Sequence, residues 1–204
     1  MNMDAMTFIA PDEKKTMNVI ASMFIKQLYE TLVDEAMAFE GNRLPIRTNL
    51  ILDEFSNMGP ISDIESMVTA CRSRNIRMTL VVQGMKQLEQ VYGQNAHTIE
   101  SNCSNIVFIT GREYGYMQKL SDLAGNDSNG NPLITPFALQ RLDRSKGEAF
   151  VMNDRNLPFI THMTDIDSYG LPPAEPVVLK PRTVSKVKTF DVRKVFRHRR
   201  SDDE

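Results

Sequence analysis

Two adjacent carboxylates, Asp53 and Glu54, follow directly after an aliphatic run at residues 50–52. A continuous apolar run of this kind is typical of a parallel strand buried on both faces, and α/β sheets bind their ligands at the carboxyl ends of such strands. In nucleotide hydrolases the first of two such carboxylates holds Mg²⁺, and the second orients or activates the attacking water. The pair therefore has the arrangement of a Walker B site. The alternative is an ordinary strand that ends in a solvated acidic turn.

Two further polar residues could complete such a site. Gln83 ends the next predicted strand, where its amide could contact both the attacking water and the terminal phosphate. Arg72 lies near the end of the intervening helix, at the opposite rim of the sheet, which suits the site of a neighbouring subunit in a ring. An arginine supplied in trans stabilises the charge that develops in phosphoryl transfer. Alternatively, Arg72, Arg74 and Arg77 only complement the dipole of a helix end.

Alternating helix and strand patterns would position these residues. Apolar residues recur at helical spacing between residues 14 and 39, which predicts a long amphipathic helix ahead of the central strand. Ser62 is expected to cap a helix that ends near residue 73. The other predicted elements are a strand at 5–10 with Asp12 capping the helix after it, strands at 78–82 and 106–109, and helices at 85–92, 96–101, 113–123 and 135–142. This alternation predicts an α/β fold with a mostly parallel sheet.

The last part of the chain has a different pattern. Residues 148–152 and 159–162 are expected to form an antiparallel hairpin. Beyond it the composition shifts to prolines and alternating charges, which predicts a disordered tail over residues 164–204. The expected division is thus a domain at 1–163 followed by this tail.

Composition narrows the class of protein. The 204 residues are 41% hydrophobic and 25% charged, as is ordinary for a soluble globular protein. The net charge of -2 gives no overall basic field for nucleic acid, although a ring-shaped pump can confine its basic groups to a channel. Cys71 and Cys103 lack metal-ligand spacing, so we expect buried free thiols in a reducing cytoplasm. No stretch approaches the roughly 20 apolar residues of a membrane span.

The segment 52–61 resembles the Walker B segment of the TraG/TraD-like conjugative coupling proteins, which are hexameric DNA-translocating ATPases of type IV secretion systems. Further stretches that resemble the same family are residues 8–12, 24–29, 71–77, 82–88, 91–93, 99–103 and 120–125. The resemblance covers about residues 5–163. It implies the C-terminal part of a RecA-like P-loop NTPase motor domain.

The resemblance also implies roles for the candidate residues. Asp53 would hold Mg²⁺ through a water, and Glu54 would be the catalytic carboxylate. Gln83 would sense the nucleotide, and Arg72 falls where the family carries its arginine finger. The implied cofactors are Mg²⁺ and ATP. The implied partners are single-stranded DNA, a relaxase, secretion-channel components and further copies in a homo-hexamer at the cytoplasmic face of a bacterial plasma membrane.

One feature of the family is missing from this sequence. No G-x-x-x-x-G-K-[ST] occurs anywhere in it, and that loop supplies the backbone N–H groups and the lysine that hold the phosphates. We therefore expect the chain to be inactive by itself and to need the missing N-terminal half in trans. In the family the P-loop strand lies beside the strand that ends at Gln83, so this strand is expected to have an unpaired apolar edge.

Two other functions remain open from the sequence. The same fold could serve as a non-enzymatic docking module for a relaxase–DNA substrate or for secretion-channel partners. The chain could also be a fragment of another DNA-pump ATPase, of the kind that moves chromosomes or packages DNA. Residues 71–77 and 83–92 favour conjugation over the second alternative.

Overall fold

The structure is a computed structural model that describes residues 15–153 and 155–170. The chain divides into two compact units, one ending at Asp165 and one beginning at Ile166. The described part of the second unit contains a 3-10 turn, Ile166–Tyr169. The strand expected at 5–10, the Asp12 cap and the tail beyond residue 170 lie outside the described residues.

The described part of the first unit alternates between helices and strands. The helices are α1 (Lys15–Met37), α2 (Ile64–Ala70), α3 (Met85–Tyr92), α4 (Asn95–Ser101), α5 (Tyr114–Ala124) and α6 (Pro136–Gln140). The strands are β1 (Thr48–Leu52), β2 (Ile76–Leu80), β3 (Asn105–Phe108), β4 (Glu148–Asn153) and β5 (Phe159–His162). Most predicted elements are confirmed with small shifts of their ends. Helix α2 is shorter than expected because its last turn tightens into the 3-10 segment Cys71–Arg74. None of these helices is both long and apolar enough to cross a membrane.

The described strands form two sheets. Strands β1 and β2 pair in parallel, with Leu52 opposite Leu80, and β3, β4 and β5 form an antiparallel sheet. The α/β class, the parallel pair and the C-terminal hairpin are therefore confirmed. The expectation that residues 106–109 extend the parallel sheet is wrong. Strand β3 pairs with β4 instead, because this places Phe108 beside Phe150 in a second core with residues of α5 and α6.

The main core lies on one face of the parallel pair. Leu50 and Leu52 point into it, together with residues from α1 to α4 such as Ile25 and Ile64. The prediction that the β1 run is buried on both faces is wrong, since Ile51 is 69% exposed. Successive side chains of a strand point to opposite faces, and the described helices of this core pack on the Leu50 side only.

The start of α2 also differs from the prediction. Ser62 does not cap it, because the residue before the helix is Asp63, in a left-handed conformation with φ 58° and without a side-chain capping bond. The Asp63 carboxylate instead accepts a hydrogen bond from Nζ of Lys26 on α1, at 3.0 Å. This bond raises the pKa of Lys26. The side chain nearest the helix start thus ties α2 to α1.

Both cysteines are free thiols, as expected. Cys71 is buried and Cys103 is half-buried, and burial raises the pKa of each.

An aromatic stack joins the turn after β1 to α3. Phe55 is fully buried and stacks on Tyr92, with ring centroids 5.2 Å apart. The Tyr92 hydroxyl accepts a hydrogen bond from the backbone N–H of Ile61 at 3.4 Å. Burial raises the pKa of Tyr92 to about 12. The stack therefore fixes the residue that follows Glu54 to the core.

Replacing Phe55 by alanine tests this anchor. We expect Phe55→Ala to lower the free energy of unfolding by about 3–5 kcal/mol, because it removes a buried ring and leaves a cavity. Phe137→Ala is the matched control: that ring is 62% exposed beneath the Arg141 guanidinium, so its loss should cost less than about 1 kcal/mol. Urea denaturation measures both. Equal losses for the two variants would contradict the assigned packing.

Two glycines in the same backbone conformation give a second test. Gly147 has φ 70°, and a Cβ built on it would lie 2.5 Å from the carbonyl oxygen of Met163. Gly41 has φ 72° and has no atom within 4 Å of such a Cβ. Gly41→Ala should cost about 1–2 kcal/mol from the left-handed backbone alone. Gly147→Ala should cost a further ~1–3 kcal/mol from the clash. Urea denaturation of both variants checks this, and a smaller loss for Gly147→Ala would be inconsistent with the hairpin geometry.

Candidate functional site

Hydrogen bonds continue past the ends of β1 and β2 and tie the two chain exits together. The backbone N–H of Val81 donates to the carbonyl oxygen of Leu52 at 3.0 Å. The N–H of Phe55 then donates to the carbonyl oxygen of Val81 at 2.9 Å. Because the strands are parallel, Asp53 and Glu54 leave β1 at the same edge at which Gln83 follows β2. The structure thus brings these three residues to one edge of the sheet.

The two carboxylates sit in a tight turn and are exposed. An oxygen of Asp53, Oδ1, accepts a hydrogen bond from the backbone N–H of Glu54 at 2.9 Å. Glu54 has φ 51°, a left-handed conformation that residues with side chains rarely adopt. Its Oε2 accepts a hydrogen bond from Nδ2 of Asn57 at 3.0 Å, and its carbonyl oxygen accepts one from the N–H of Asn57 at 2.7 Å. Backbone strain of this kind is found at functional sites.

Gln83 lies just before α3 and is exposed. Its Oε1 accepts a weak hydrogen bond from Nε2 of Gln87 at 3.4 Å, one turn into the helix. The amide nitrogen of Gln83 makes no hydrogen bond to the described residues. It therefore has a donor available for a ligand at this edge.

Arg72 is not brought to this edge. It lies in the 3-10 turn that precedes β2, so the length of that strand, about 16 Å, separates it from the strand's carboxyl end. Its guanidinium is exposed and makes no ion pair or hydrogen bond with the described residues. Arg74 differs, because its Nη1 donates to the carbonyl oxygen of Asn42 at 3.0 Å. Arg74 thus has a structural partner, and Arg72 does not have one in the described part of the chain.

The turn that carries the carboxylates is also held by α1. Nδ2 of Asn18 donates to the carbonyl oxygen of Asn57 at 3.1 Å. The Ser22 hydroxyl donates to the carbonyl oxygen of Gly59 at 2.6 Å. Reasoning from the sequence missed both contacts. The signals in the sequence were weak: Asn57 lies in a predicted turn, and Asn18 and Ser22 are polar residues one turn apart in the predicted helix.

The chain fits one side of a magnesium–nucleotide complex. Mg²⁺ prefers oxygen ligands and keeps several waters, and Oδ2 of Asp53 makes no hydrogen bond to the described residues, so it can hold a metal-bound water. No group of three or more His, Cys, Asp or Glu side chains suited to a metal ion occurs in the described part. The motif G-x-x-x-x-G-K-[ST], which supplies the backbone N–H cradle for phosphates, does not occur in the 204 residues.

Comparison with known proteins gives two findings. Residues 47–143 match the family model described as the TraM recognition site of TraD and TraG. This range contains Asp53, Glu54, Arg72 and Gln83. No curated protein sequence was found to match the chain.

The fold is similar to solved structures of a conjugative coupling protein, TrwB. Its unbound form, described as bacterial, matches with a TM-score of 0.57 and 15% identity, over 74% of this chain and 39% of that chain. The plasmid protein in complex with the GTP analogue GDPNP matches with a TM-score of 0.59 and 15% identity, over 74% of this chain and 39% of that chain. Its complex with ADP and Mg²⁺ matches with a TM-score of 0.58 and 15% identity, over 74% of this chain and 38% of that chain.

This chain spans well under half the length of the matched structures. The similarity to them confirms the RecA-like α/β fold class. Together with the family match over residues 47–143, it confirms the resemblance of this chain to the C-terminal part of the TraG/TraD-like conjugative coupling proteins.

Proposed function

We propose that this chain is part of a DNA-translocating coupling ATPase that delivers relaxase-bound single-stranded DNA to a type IV secretion channel during conjugation. The observation that carries the proposal is the convergence of Asp53, Glu54 and Gln83 at the carboxyl edge of a parallel strand pair. The TrwB structures in complex with a GTP analogue and with ADP and Mg²⁺ support nucleotide binding as the function of such a site.

Each residue at this edge has a role in hydrolysis. Bound Mg²⁺ would neutralise charge that develops on the phosphates. Asp53 would hold a water of that ion through its second oxygen. Glu54 would accept the proton of the water that attacks the terminal phosphate, and ADP would leave. The Gln83 amide would contact the attacking water and report the state of the nucleotide.

The phosphate-binding side would come from a P-loop segment outside this sequence. Strand β2 pairs only with β1 among the described strands, so the backbone groups of its other edge can accept a further strand. Met78 and Leu80 on β2 are half-buried, and an added strand with its helix would cover them. We infer that the P-loop strand pairs at this edge and presents its N–H groups beside Asp53.

Arg72 would act on the site of a neighbouring subunit. Its place at the amino end of β2 excludes it from its own subunit's carboxyl edge, and its guanidinium is exposed. In a ring with head-to-tail contacts, opposite rims of adjacent subunits meet. A homo-hexamer would thus place Arg72 where an arginine finger acts.

A second candidate function is protein docking without hydrolysis. The description of the matching family names TraM recognition, which favours a relaxosome protein as partner. The exposed apolar residues of α1, Val19, Ile20 and Met23, are compatible with such a surface. Binding of the partner without any ATP hydrolysis by the complete assembly would favour this candidate.

ATP hydrolysis tests the leading proposal. By itself the purified chain should not hydrolyse Mg-ATP. The complete assembly, which is this chain together with the P-loop segment as one polypeptide or two, should hydrolyse it. There, Glu54→Gln should lower kcat about a hundredfold or more, because the general base is lost. Glu35→Gln, a matched change at an exposed position of α1, should leave kcat unchanged. Turnover by the chain alone, abolished by Asp53→Asn, would show that the phosphate cradle lies within this sequence and would contradict the proposal.

Mixing two inactive variants tests the role of Arg72. Arg72→Ala should lower kcat of the complete assembly by about 10³-fold, whereas Arg77→Ala, on the exposed face of β2, should not. When the two variants are mixed, an Arg72→Ala subunit still supplies Glu54 and a neighbouring Glu54→Gln subunit still supplies Arg72, so the interface between them can hold a complete site. Random mixing should restore roughly a quarter of the sites. An absence of any recovery in mixed rings would show that Arg72 does not act in trans.

A further inference from the structure

The hydrogen bonds around the turn after β1 single out Asn57. We propose that Asn57 is a positioning residue that fixes the Glu54 carboxylate for its work as the general base. The inference rests on the proposed function, because it concerns the orientation of the base at that same site.

Asn57 holds Glu54 from two directions. Its backbone N–H donates to the carbonyl oxygen of Glu54 at 2.7 Å, and its side-chain Nδ2 donates to Oε2 of the same residue at 3.0 Å. One bond thus holds the backbone of Glu54 and the other holds its carboxylate. Together with the left-handed backbone at φ 51°, they fix the direction in which the Glu54 side chain leaves the turn and the position of its carboxylate.

An exposed glutamate without such a contact would sample many rotamers. Anchoring Oε2 to Asn57 leaves Oε1, which makes no hydrogen bond to the described residues, available to a ligand. The donor is neutral, so the contact orients the carboxylate without adding a charge beside it.

Helix α1 holds Asn57 in turn. The carbonyl oxygen of Asn57 accepts a hydrogen bond from Nδ2 of Asn18 at 3.1 Å, and the nearby Ser22 hydroxyl donates to the carbonyl oxygen of Gly59 at 2.6 Å. Both bonds engage the backbone of the turn, so they survive any change of the Asn57 side chain. A substitution at Asn57 thus removes the contact with Glu54 and leaves the attachment to α1.

The test compares two substitutions of Asn57 in the complete assembly. Asn57→Ala should lower kcat by about tenfold to a hundredfold, with KM for ATP unchanged, because a misplaced base affects the chemical step. Asn57→Asp keeps the shape and the backbone contacts, yet it replaces the donor by a second carboxylate that repels Glu54. It should therefore lower kcat at least as much as Asn57→Ala. Asn95→Ala, at an exposed position of α4, is the control and should behave as the wild type.

A second measurement uses the isolated chain. The side-chain amide signals of Asn57 in NMR spectra should shift in Glu54→Ala and stay in place in Glu35→Ala. Asn57 side-chain amide signals that do not shift in Glu54→Ala would overturn the inference. A kcat of the Asn57→Asp assembly equal to that of the wild type would also overturn it. A wild-type assembly without turnover would overturn the proposed function, and this inference with it. A wild-type assembly that turns over while Asn57→Ala matches it would overturn the inference alone.

Discussion

The parallel pairing of β1 and β2 is the constraint on which the rest of the candidate site depends. The register sets Leu52 beside Leu80, and the bonds made by Val81 and Phe55 carry the pairing beyond the last strand residues. Carboxylates placed after one strand and an amide placed after the next are far apart in sequence. They share an edge only because both strands run in the same direction. The buried Phe55 ring, stacked on Tyr92, then fixes the turn so that Glu54 cannot drift from this edge.

The described structure also leaves apolar surface open where a further layer could pack. Ile51 is exposed on the outer face of β1, and β2 pairs on one side only among the described strands. Both features lie at the parallel pair, next to the residues of the candidate site. In the proposed assembly a P-loop strand would pair with β2 and bring the phosphate-binding groups to the carboxyl edge. The P-loop strand would thus extend the sheet and also supply the phosphate-binding groups of the site.

Much of this could be predicted from the sequence, for identifiable reasons. The site edge was predictable because an apolar run ending in Asp53 and Glu54 and a second run ending near Gln83 both indicate buried parallel strands. The exposure of Ile51 was not, since an aliphatic run looks the same whether one face or both faces are covered. The antiparallel pairing of β3 was not predictable either, because it depends on Phe108 meeting Phe150 across 42 positions of sequence. The contact between Asn57 and Glu54 could not be predicted for a different reason. Asparagine is common in turns, and only the structure shows which group its side chain binds.

In the proposed assembly this chain supplies one side of a nucleotide site and accepts the other side along the edge of β2 that no described strand occupies. A crystal structure of the complete assembly with Mg²⁺ and a non-hydrolysable ATP analogue tests it most directly. We expect an Asp53 oxygen about 4 Å from the metal, through one bound water, with the P-loop strand paired to β2. A nucleotide bound away from Asp53 and Glu54, or another element paired along that edge, would contradict it.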